Sequence, residues 1–466
     1  MAPAQIDRLD DAIGAGVERT VVAHHRRRLR RHGWQRAYDP PRDGLWCAGE
    51  PVPREGNSFD VLVDGEEALP RLAQEIAAAK ESVFLAGWAF EPAFRLSRGG
   101  PSLRELLAEA AERTEVRVLA WAGAPLPLFT PSRSAVRAGR DALVHGTKIR
   151  MALDSKERPM HCHHEKIALI DGRVAYVGGI DLTSLGGDRL DSADHPARGA
   201  VGWHDAAARV EGSIVEDVAQ HLSLRWREVT GEQIRWQHEH AAAGTTSAQF
   251  VRTVPNSVYD ALPLGDYRIL EAYVRALRSA ERLIYLESQF LWAPELVELL
   301  VDKLQAPPTD EFRIVIVLPA KPNNGADDTR GQLGVLVDND PHDRLLACTL
   351  RQPTRAQQVY VHAKIGIVDD RWLAIGSANL NSHSFYNDTE ACLITCDPVV
   401  ATATRKRLWR EHLRREDVDG EPHEILDTLW RDAMRDDSFD TLDFLPGVSR
   451  RTGRLLGPIN GLIVDG

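Results

Sequence analysis

The stretch HHEKIALIDG, residues 163–172, returns about 200 residues later as VHAKIGIVDD, residues 361–370. Both copies contain a histidine, a lysine and an aspartate at one spacing: His164, Lys166, Asp171 and His362, Lys364, Asp369. The apolar runs 167–170 and 365–368 predict short buried strands that end in turns. Since burying an unpaired imidazole or ammonium is costly, each copy predicts nearby carboxylates or an anionic ligand. One such motif has little specificity, but its repetition is poorly explained by chance.

The sequence around the two motifs is duplicated as well. VFLAGWAF (83–90) corresponds to IYLESQFL (284–291), and VRVLAW (116–121) to FRIVIVL (312–318). Strands alternating with helical stretches, among them 215–229 and 399–413, predict an α/β fold with a parallel or mixed sheet. We therefore expect a helical preface (1–50), a first repeat (51–238), a linker (239–249), a second repeat (250–445) and a tail (446–466).

Composition narrows the function. The chain has 466 residues and a net charge of −11, which disfavours nucleic acid as a partner. Its five scattered cysteines form no disulfide or zinc-ribbon pattern. The first residues lack a secretory signal, and no apolar run is long enough for a membrane span, so a cytoplasmic protein is expected. The basic run 24–33 predicts a solvated helix end, with contact to anionic lipid as the alternative.

Each motif is followed by a glycine turn and an Asx residue: Gly178, Gly179 and Asp181 in the first half, Gly376, Ser377 and Asn379 in the second. With Trp203-His204-Asp205 and the stretch ESQFLW (287–292), this pattern resembles the phospholipase D superfamily over residues 55–445. The resemblance implies a pseudo-two-fold duplicated α/β/α sandwich with mixed sheets. It also implies one active site shared by both motifs and no metal or cofactor in the core chemistry. Asp181 departs from the asparagine of many members, and it is expected to be turned away or protonated.

The resemblance further implies residue roles. The catalytic set is the six motif residues, with His164 as nucleophile and His362 as general acid and base. Lys166, Lys364 and Asn379 are expected to bind the phosphate oxygens. Asp205 is expected to orient His164 and Glu390 to orient His362, with Asp181 and Ser377 also in supporting positions. Because Asp171 and Asp369 end their strands in turns, a structural anchoring role is favoured for both.

Other polar residues crowd the motifs. His161, Cys162 and His163 suggest zinc, but no second Cys/His pair lies near them in sequence, so packing and local hydrogen bonds are favoured. For His204 and His383 we expect satisfied surface or supporting histidines. No metal is predicted.

The loop WAGAPLPLFTP (121–131) is apolar, whereas its counterpart VLPAKPNNGADDTRGQ (317–332) is polar. Packing onto the core explains the apolar loop equally well, and Phe290, Leu291 and Trp292 either line the same mouth or belong to the core. The asymmetry favours an amphiphilic substrate.

We therefore expect a phospholipase D-type phosphodiesterase or phosphatidyltransferase. It would cleave the distal phosphodiester bond of a glycerophospholipid such as phosphatidylcholine through a phosphohistidine, and transfer phosphatidyl to water or an alcohol. The alternatives are a cardiolipin synthase-like transferase and a nuclease of the same superfamily. Peripheral membrane contact and the oligomeric state stay open.

Overall fold

The computed structural model describes residues 3–125, 130–158, 161–185, 202–236, 241–322, 326–351, 358–435 and 442–445. The chain begins with two helices, α1 (Pro3–Arg31) and α2 (Gln35–Tyr38). The predicted tail, 446–466, lies outside the described residues.

The first half then follows the predicted alternation of strands and helices. Its elements are β1 (Arg54–Val63), α3 (Asp64–Ala78), β2 (Ser82–Gly87), α4 (Leu103–Ala111), β3 (Glu115–Trp121), α5 (Arg133–Val144), β4 (Arg150–Asp154), β5 (Ile167–Ile170), β6 (Val174–Gly178), β7 (Gly202–His204), β8 (Ala206–Glu211) and α6 (Val215–Thr230).

The second half repeats this order with a few additions. Its elements are β9 (Thr246–Val254), β10 (Asp266–Tyr267), α7 (Arg268–Ser279), β11 (Leu283–Glu287), β12 (Leu291–Trp292), α8 (Pro294–Gln305), β13 (Arg313–Val317), α9 (Ala326–Asp338), β14 (Leu345–Arg351), β15 (Gln358–Val361), β16 (Ile365–Val368), β17 (Trp372–Gly376), β18 (Leu380–Asn381), α10 (Ser382–Tyr386), β19 (Glu390–Thr395), α11 (Pro398–Leu413), α12 (Pro422–Ile425), a π-helical segment (Leu426–Trp430), α13 (Arg431–Arg435) and β20 (Leu442–Phe444). Because β9 begins at Thr246, the last residues of the predicted linker belong to a strand.

Each half forms one mixed sheet with the same strand order. The first runs β4-β3-β2-β5-β6-β8-β1, and the second runs β14-β13-β11-β16-β17-β19-β9. The first three strands of each sheet are parallel, as long crossover connections require, and the rest are antiparallel. The motif strands β5 and β16 lie mid-sheet, at the change from parallel to antiparallel pairing.

The two sheets pack face to face and also share hydrogen bonds. A single buried apolar cluster includes Leu169 and Val177 from one sheet and Ile367 and Leu393 from the other. Two further clusters lie under the outer helices, one in each half. Strand β7 pairs in parallel with β15, with His204 opposite Val361. The predicted duplicated α/β/α sandwich is confirmed.

Helix α1 packs against the second half. In the basic run, Arg26 forms an ion pair with Glu298 at 3.0 Å, and Arg28 donates to Asn387 Oδ1 at 2.8 Å. These two arginines thus have partners within the protein, which a simple solvated helix end would not provide. Within the described ranges, none of the helices combines the length and apolarity that a bilayer crossing needs.

Candidate active site

The two motif histidines lie in extended segments just before β5 and β16, and each segment is hydrogen-bonded to the other half. The His164 backbone N–H donates to the Thr389 carbonyl at 2.9 Å, and that of His362 donates to the His204 carbonyl at 2.8 Å. Both histidines therefore lie at the seam between the sheets.

The acids that orient the histidines also come from the opposite half. His164 Nδ1 lies 3.1 Å from Glu390 Oε1, and His362 Nδ1 lies 2.6 Å from Asp205 Oδ2. The expected partners, Asp205 for His164 and Glu390 for His362, are therefore wrong. The physical reason is that β7 pairs with β15 across the seam, so that Asp205 follows the strand that neighbours His362. In both pairs Nδ1 is engaged, which leaves Nε2 for chemistry.

The glycine turns make room for these acids. A Cβ on Gly179 would lie 2.1 Å from Asp205 Oδ1, so this position accommodates the carboxylate only as glycine. At the corresponding position in the second half, the Ser377 hydroxyl donates to Glu390 Oε2. Ser384 donates to Glu390 Oε1 at 2.6 Å. The difference between Gly-Gly and Gly-Ser thus reflects two ways of holding an orienting acid.

The motif lysines donate hydrogen bonds to the histidine carbonyls of their own motifs, and the Asx residues Asp181 and Asn379 are buried. Lys166 Nζ donates to the His164 carbonyl at 2.8 Å, and Lys364 Nζ donates to the His362 carbonyl. Lys166 also lies 3.3 Å from Asp181 Oδ2, so Asp181 faces the lysine of the first motif and is not turned away from it. Asn379 is 1% exposed, and its Oδ1 accepts no hydrogen bond from the described residues.

The charges of the two halves act on one another. Burial and the charge of Lys364 lower the pKa of His362 to about 3, with Lys166 adding to the effect and Asp205 opposing it. Burial alone would raise the pKa of Asp205, but His362 and Lys364 hold it below the ordinary value. Burial raises the pKa of Asp181 despite the attraction of Lys166. The free site therefore contains a neutral His362 beside an ionised Asp205.

The motif aspartates serve the fold. The carboxylate of Asp171 accepts hydrogen bonds from the backbone N–H groups of Lys80, Glu81 and Ser82, and it lies at a positive φ of 51°. Asp369 accepts from the backbone N–H groups of Glu281, Arg282 and Leu283 in the same way, and its φ is 53°. Their inclusion in the catalytic set is corrected: each ties the turn after its motif strand to the start of the neighbouring strand.

The remaining histidines near the motifs are buried in polar networks. His163 Nε2 lies 3.1 Å from Asp154, and its Nδ1 lies 2.9 Å from Thr389 Oγ1. His204 Nδ1 lies 3.0 Å from Asp64 and its Nε2 lies 2.7 Å from Glu287. Burial would lower the pKa of His204, but these two carboxylates raise it well above the usual value.

The sequence did not predict most of the hydrogen-bond network around His204. Glu287 also accepts from His412 Nε2 at 2.9 Å and from the Tyr285 hydroxyl. The one available signal was the glutamate in ESQFLW, a charged residue at the end of a buried strand. In contrast, His412 lies in a helix whose sequence shows no such feature. Because the backbone carbonyl of His204 accepts from the N–H of His362, this network is joined directly to the segment that contains the second motif histidine.

An apolar pocket opens on Lys166 in the first half. It encloses about 490 Å³ of free space including its mouth, and it is lined mostly by small or aliphatic side chains: Ala68, Leu69, Leu72, Ala86, Gly87, Ala89, Phe90, Lys166, Ile167, Ala168, Tyr176, Gly178, Ile180, Asp181, Leu182 and Ala207. Counted from the ends of α3 and α7, Leu72 corresponds to Tyr273. In the second half, the Tyr273 ring packs against Trp372 and Phe385. At this pair of corresponding positions, the first half therefore has an aliphatic side chain that lines a pocket, whereas the second half has an aromatic ring packed against other rings.

The loops predicted to contact the substrate are only partly described. Residues 126–129 of the apolar loop and 323–325 of the polar loop lie outside the described residues. Trp121 stacks on Trp88 with a ring separation of 6.5 Å. Phe290, Leu291 and Trp292 are 2%, 0% and 6% exposed, so they belong to the core rather than to an open mouth.

Comparison with known proteins gives consistent results. Residues 273–411 match the family described as "Cardiolipin synthase, PLD-like domain". The chain is 27% identical to phospholipase D A of Dictyostelium discoideum over 77% of its own length, but it spans only 36% of that protein. It is 24% identical to the major cardiolipin synthase ClsA of Bacillus subtilis, over 78% of this chain and 72% of that protein.

Among solved structures, the phosphatidylserine synthase of Haemophilus influenzae superposes with a TM-score of 0.51. The superposition covers 80% of this chain and 92% of that one, at 12% identity. At that identity the likeness establishes the fold alone, and it agrees with the duplicated sandwich described above.

Proposed function

The chain belongs to the phospholipase D superfamily, and from this premise we propose that it is a phosphatidyl-transferring phosphodiesterase acting on a glycerophospholipid. One observation carries the proposal. Each motif imidazole has its Nδ1 held by a buried acid from the opposite half, and its backbone carbonyl accepts from the lysine of its own motif. Lys166 of the first motif lies close enough to His362 of the second for its charge to help lower the pKa of that histidine. A displacement at phosphorus that uses no metal requires a nucleophile, a proton donor and cationic groups, and the two histidines and two lysines can supply these.

In the first step, Nε2 of one histidine attacks phosphorus, and the bond from phosphorus to the headgroup oxygen breaks. The second histidine gives its proton to the departing alcohol, which leaves a phosphatidyl-histidine. Lys166, Lys364 and the amide of Asn379 stabilise the non-bridging oxygens, whose charge the buried site would otherwise leave unpaired. In the second step, the neutral second histidine takes a proton from water or an alcohol. The oxygen of that deprotonated water or alcohol attacks phosphorus, and the bond between phosphorus and the histidine nitrogen breaks.

The order of the histidines is a separate proposal. The resemblance assigns the attack to His164 and proton transfer to His362. The lowered pKa of His362 favours the opposite order, since only a neutral imidazole can attack. A bound phosphodiester offsets the two lysine charges and so raises the pKa of His362 again, which the resemblance-based order needs. We retain His164 as nucleophile, to be tested by trapping radiolabelled phosphoenzyme in His164→Ala and His362→Ala; label persisting only in His164→Ala reverses the roles.

The pocket beside Lys166 supports a lipid substrate. Its lining is apolar except for Tyr176 and the neighbouring pair Lys166 and Asp181, so a ligand that fills it has an apolar body. A glycerophospholipid has that character, whereas a nucleic acid has charge along its whole length. The net charge of −11 adds no general attraction for nucleic acid.

The test is incubation of the purified protein with phosphatidylcholine vesicles and ethanol. Phosphatidylethanol and free choline are expected, and neither His164→Ala nor His362→Ala should produce them. Cleavage of single-stranded DNA without lipid turnover would contradict the proposal and support the nuclease alternative. Phosphatidylglycerol, offered in the same assay as an acceptor and as a substrate, separates a cardiolipin synthase-like transferase from a hydrolase.

A further inference from the structure

Three potential metal ligands meet at the seam beside the active site. His161 lies just before the first motif, His383 lies in α10, and Asp388 lies shortly before the orienting acid Glu390. His161 Nδ1 is 2.9 Å from His383 Nδ1 and 3.5 Å from Asp388 Oδ1, and His383 Nδ1 is 3.9 Å from Asp388 Oδ2. The cluster joins the first half of the chain to the second.

The facing nitrogens distinguish this cluster from the other histidine network. Around His204 and His412, Glu287 and Asp64 place a carboxylate oxygen 2.7–3.0 Å from the ring nitrogens, so N–H···O hydrogen bonds occupy them. In the cluster, by contrast, two imidazole nitrogens of the same kind point at each other. A contact of this length between two such nitrogens is either an N–H···N hydrogen bond, with one ring protonated on Nδ1, or a pair of ligands to a shared cation.

The distances fit a coordinated ion. Bonds of about 2.0–2.1 Å from a tetrahedral metal to its ligands place neighbouring ligand atoms about 3.3 Å apart. The two nitrogens are 2.9 Å apart, and the Asp388 carboxylate offers Oδ1 at 3.5 Å from His161 Nδ1 and Oδ2 at 3.9 Å from His383 Nδ1, so these separations lie on both sides of that value.

The surroundings also fit. Among the residues that the structure describes, Asp388 Oδ1 accepts the Cys162 backbone N–H at 2.9 Å, while the buried Oδ2 accepts no hydrogen bond. Asp388 and His383 are 0% exposed, whereas the His161 side chain is 9% exposed, so a water ligand can enter from that side.

We propose that His161, His383 and Asp388 bind one ion of the Zn²⁺ class, with a water as the fourth ligand. Two imidazoles and one carboxylate are a ligand set that zinc accepts. The ion is a structural clip across the seam. It fixes the backbone just before His164 and just before Glu390, and it takes no part in the displacement at phosphorus. The inference does not depend on the proposed lipid activity.

The experiment uses untagged, chelator-stripped full-length protein titrated with ZnCl₂ by isothermal calorimetry. One ion per chain is expected, with a Kd of about 1 μM or below. His383→Gln and His161→Gln should each weaken binding by more than about 100-fold, beyond the 10- to 100-fold loss typical of a residue that only supports a ligand. Zinc should also raise the melting temperature of the wild type, because it binds the folded state, but not that of His383→Gln.

Two control variants separate this site from other zinc-binding groups. His145→Ala removes an exposed histidine outside the cluster, and His362→Ala removes a histidine of the catalytic pair. Both should bind zinc as the wild type does. Asp388→Asn keeps the shape of the side chain, so its circular dichroism should match that of the wild type while its zinc binding is weakened. A loss of binding in this variant is therefore not explained by misfolding. Loss of binding in His362→Ala, unchanged binding in His383→Gln and Asp388→Asn, or no binding by the wild type would each overturn the proposal.

Discussion

The crossed pairing of histidines and acids predicts a specific energetic coupling. Asp205 is fully buried and its Oδ2 lies 2.6 Å from His362 Nδ1. A hydrogen bond to a buried charged group contributes about 1.5–3 kcal/mol. Asp205→Asn and His362→Ala should therefore show a coupling energy of that size in the free energy of unfolding. Asp205→Asn combined with His164→Ala should be additive to within about 0.5 kcal/mol, because those two side chains do not pair.

The assay is a double-mutant cycle measured by urea denaturation. The mirror cycle, Glu390→Gln with His164→Ala, should give a weaker coupling, because the closest approach there is 3.1 Å. Activity offers a second measurement: Asp205→Asn should lower kcat by about 10²- to 10⁴-fold, the range expected when an imidazole loses its orienting acid. Coupling between Asp205 and His164, with none between Asp205 and His362, would refute the crossed arrangement.

Further predictions concern the pocket, acid stability and a turn. Ala68→Phe should fill the pocket and lower kcat/KM for long-chain phosphatidylcholine at least about 10-fold, while kcat/KM for a small chromogenic phosphodiester should not change. Ala73→Phe, which lies on the same helix but outside the pocket lining, is the control. Equal losses of Ala68→Phe on both substrates would contradict the prediction. Burial holds the pKa of His221 well below 6.5, so unfolding at lower pH takes up a proton, and the free energy of unfolding falls by up to about 1.4 kcal/mol per pH unit. His221→Gln should remove that part of the slope in urea titrations from about pH 6.5 to pH 5, whereas in the control His145→Gln the slope should not change. Asp171→Ala should lower the free energy of unfolding by about 2–3 kcal/mol, because three N–H groups lose their acceptor at a positive φ; Asp171→Asn, which keeps an acceptor, should lose less, and equal losses would argue against the anchoring role.

The duplicated fold was accessible from the sequence because it depends on local patterns. The apolar runs at 167–170 and 365–368 form β5 and β16 as predicted, and the amphipathic stretch at 215–229 lies in α6. Turn chemistry was equally local: Asp171 and Asp369 were expected to anchor turns, and both do.

The partners within the site were not accessible, because they depend on how the halves pack. Sequence order suggested that an acid orients the histidine of its own half, whereas the pairing of β7 with β15 exchanges the two acids. The same packing brings His383 to His161 from the far half of the chain, so the zinc interpretation lacked its other ligands at the level of sequence. Contacts across the seam follow no sequence periodicity.

Direct evidence for a shared site would come from a crystal structure of the protein with orthovanadate, which mimics phosphorus in displacement. The account predicts vanadium bonded to Nε2 of one motif histidine, an apical oxygen within hydrogen-bond reach of Nε2 of the other, and both motif lysines on the equatorial oxygens. Vanadate held by His164 or His362 alone, with the other imidazole facing a separate pocket, would contradict it.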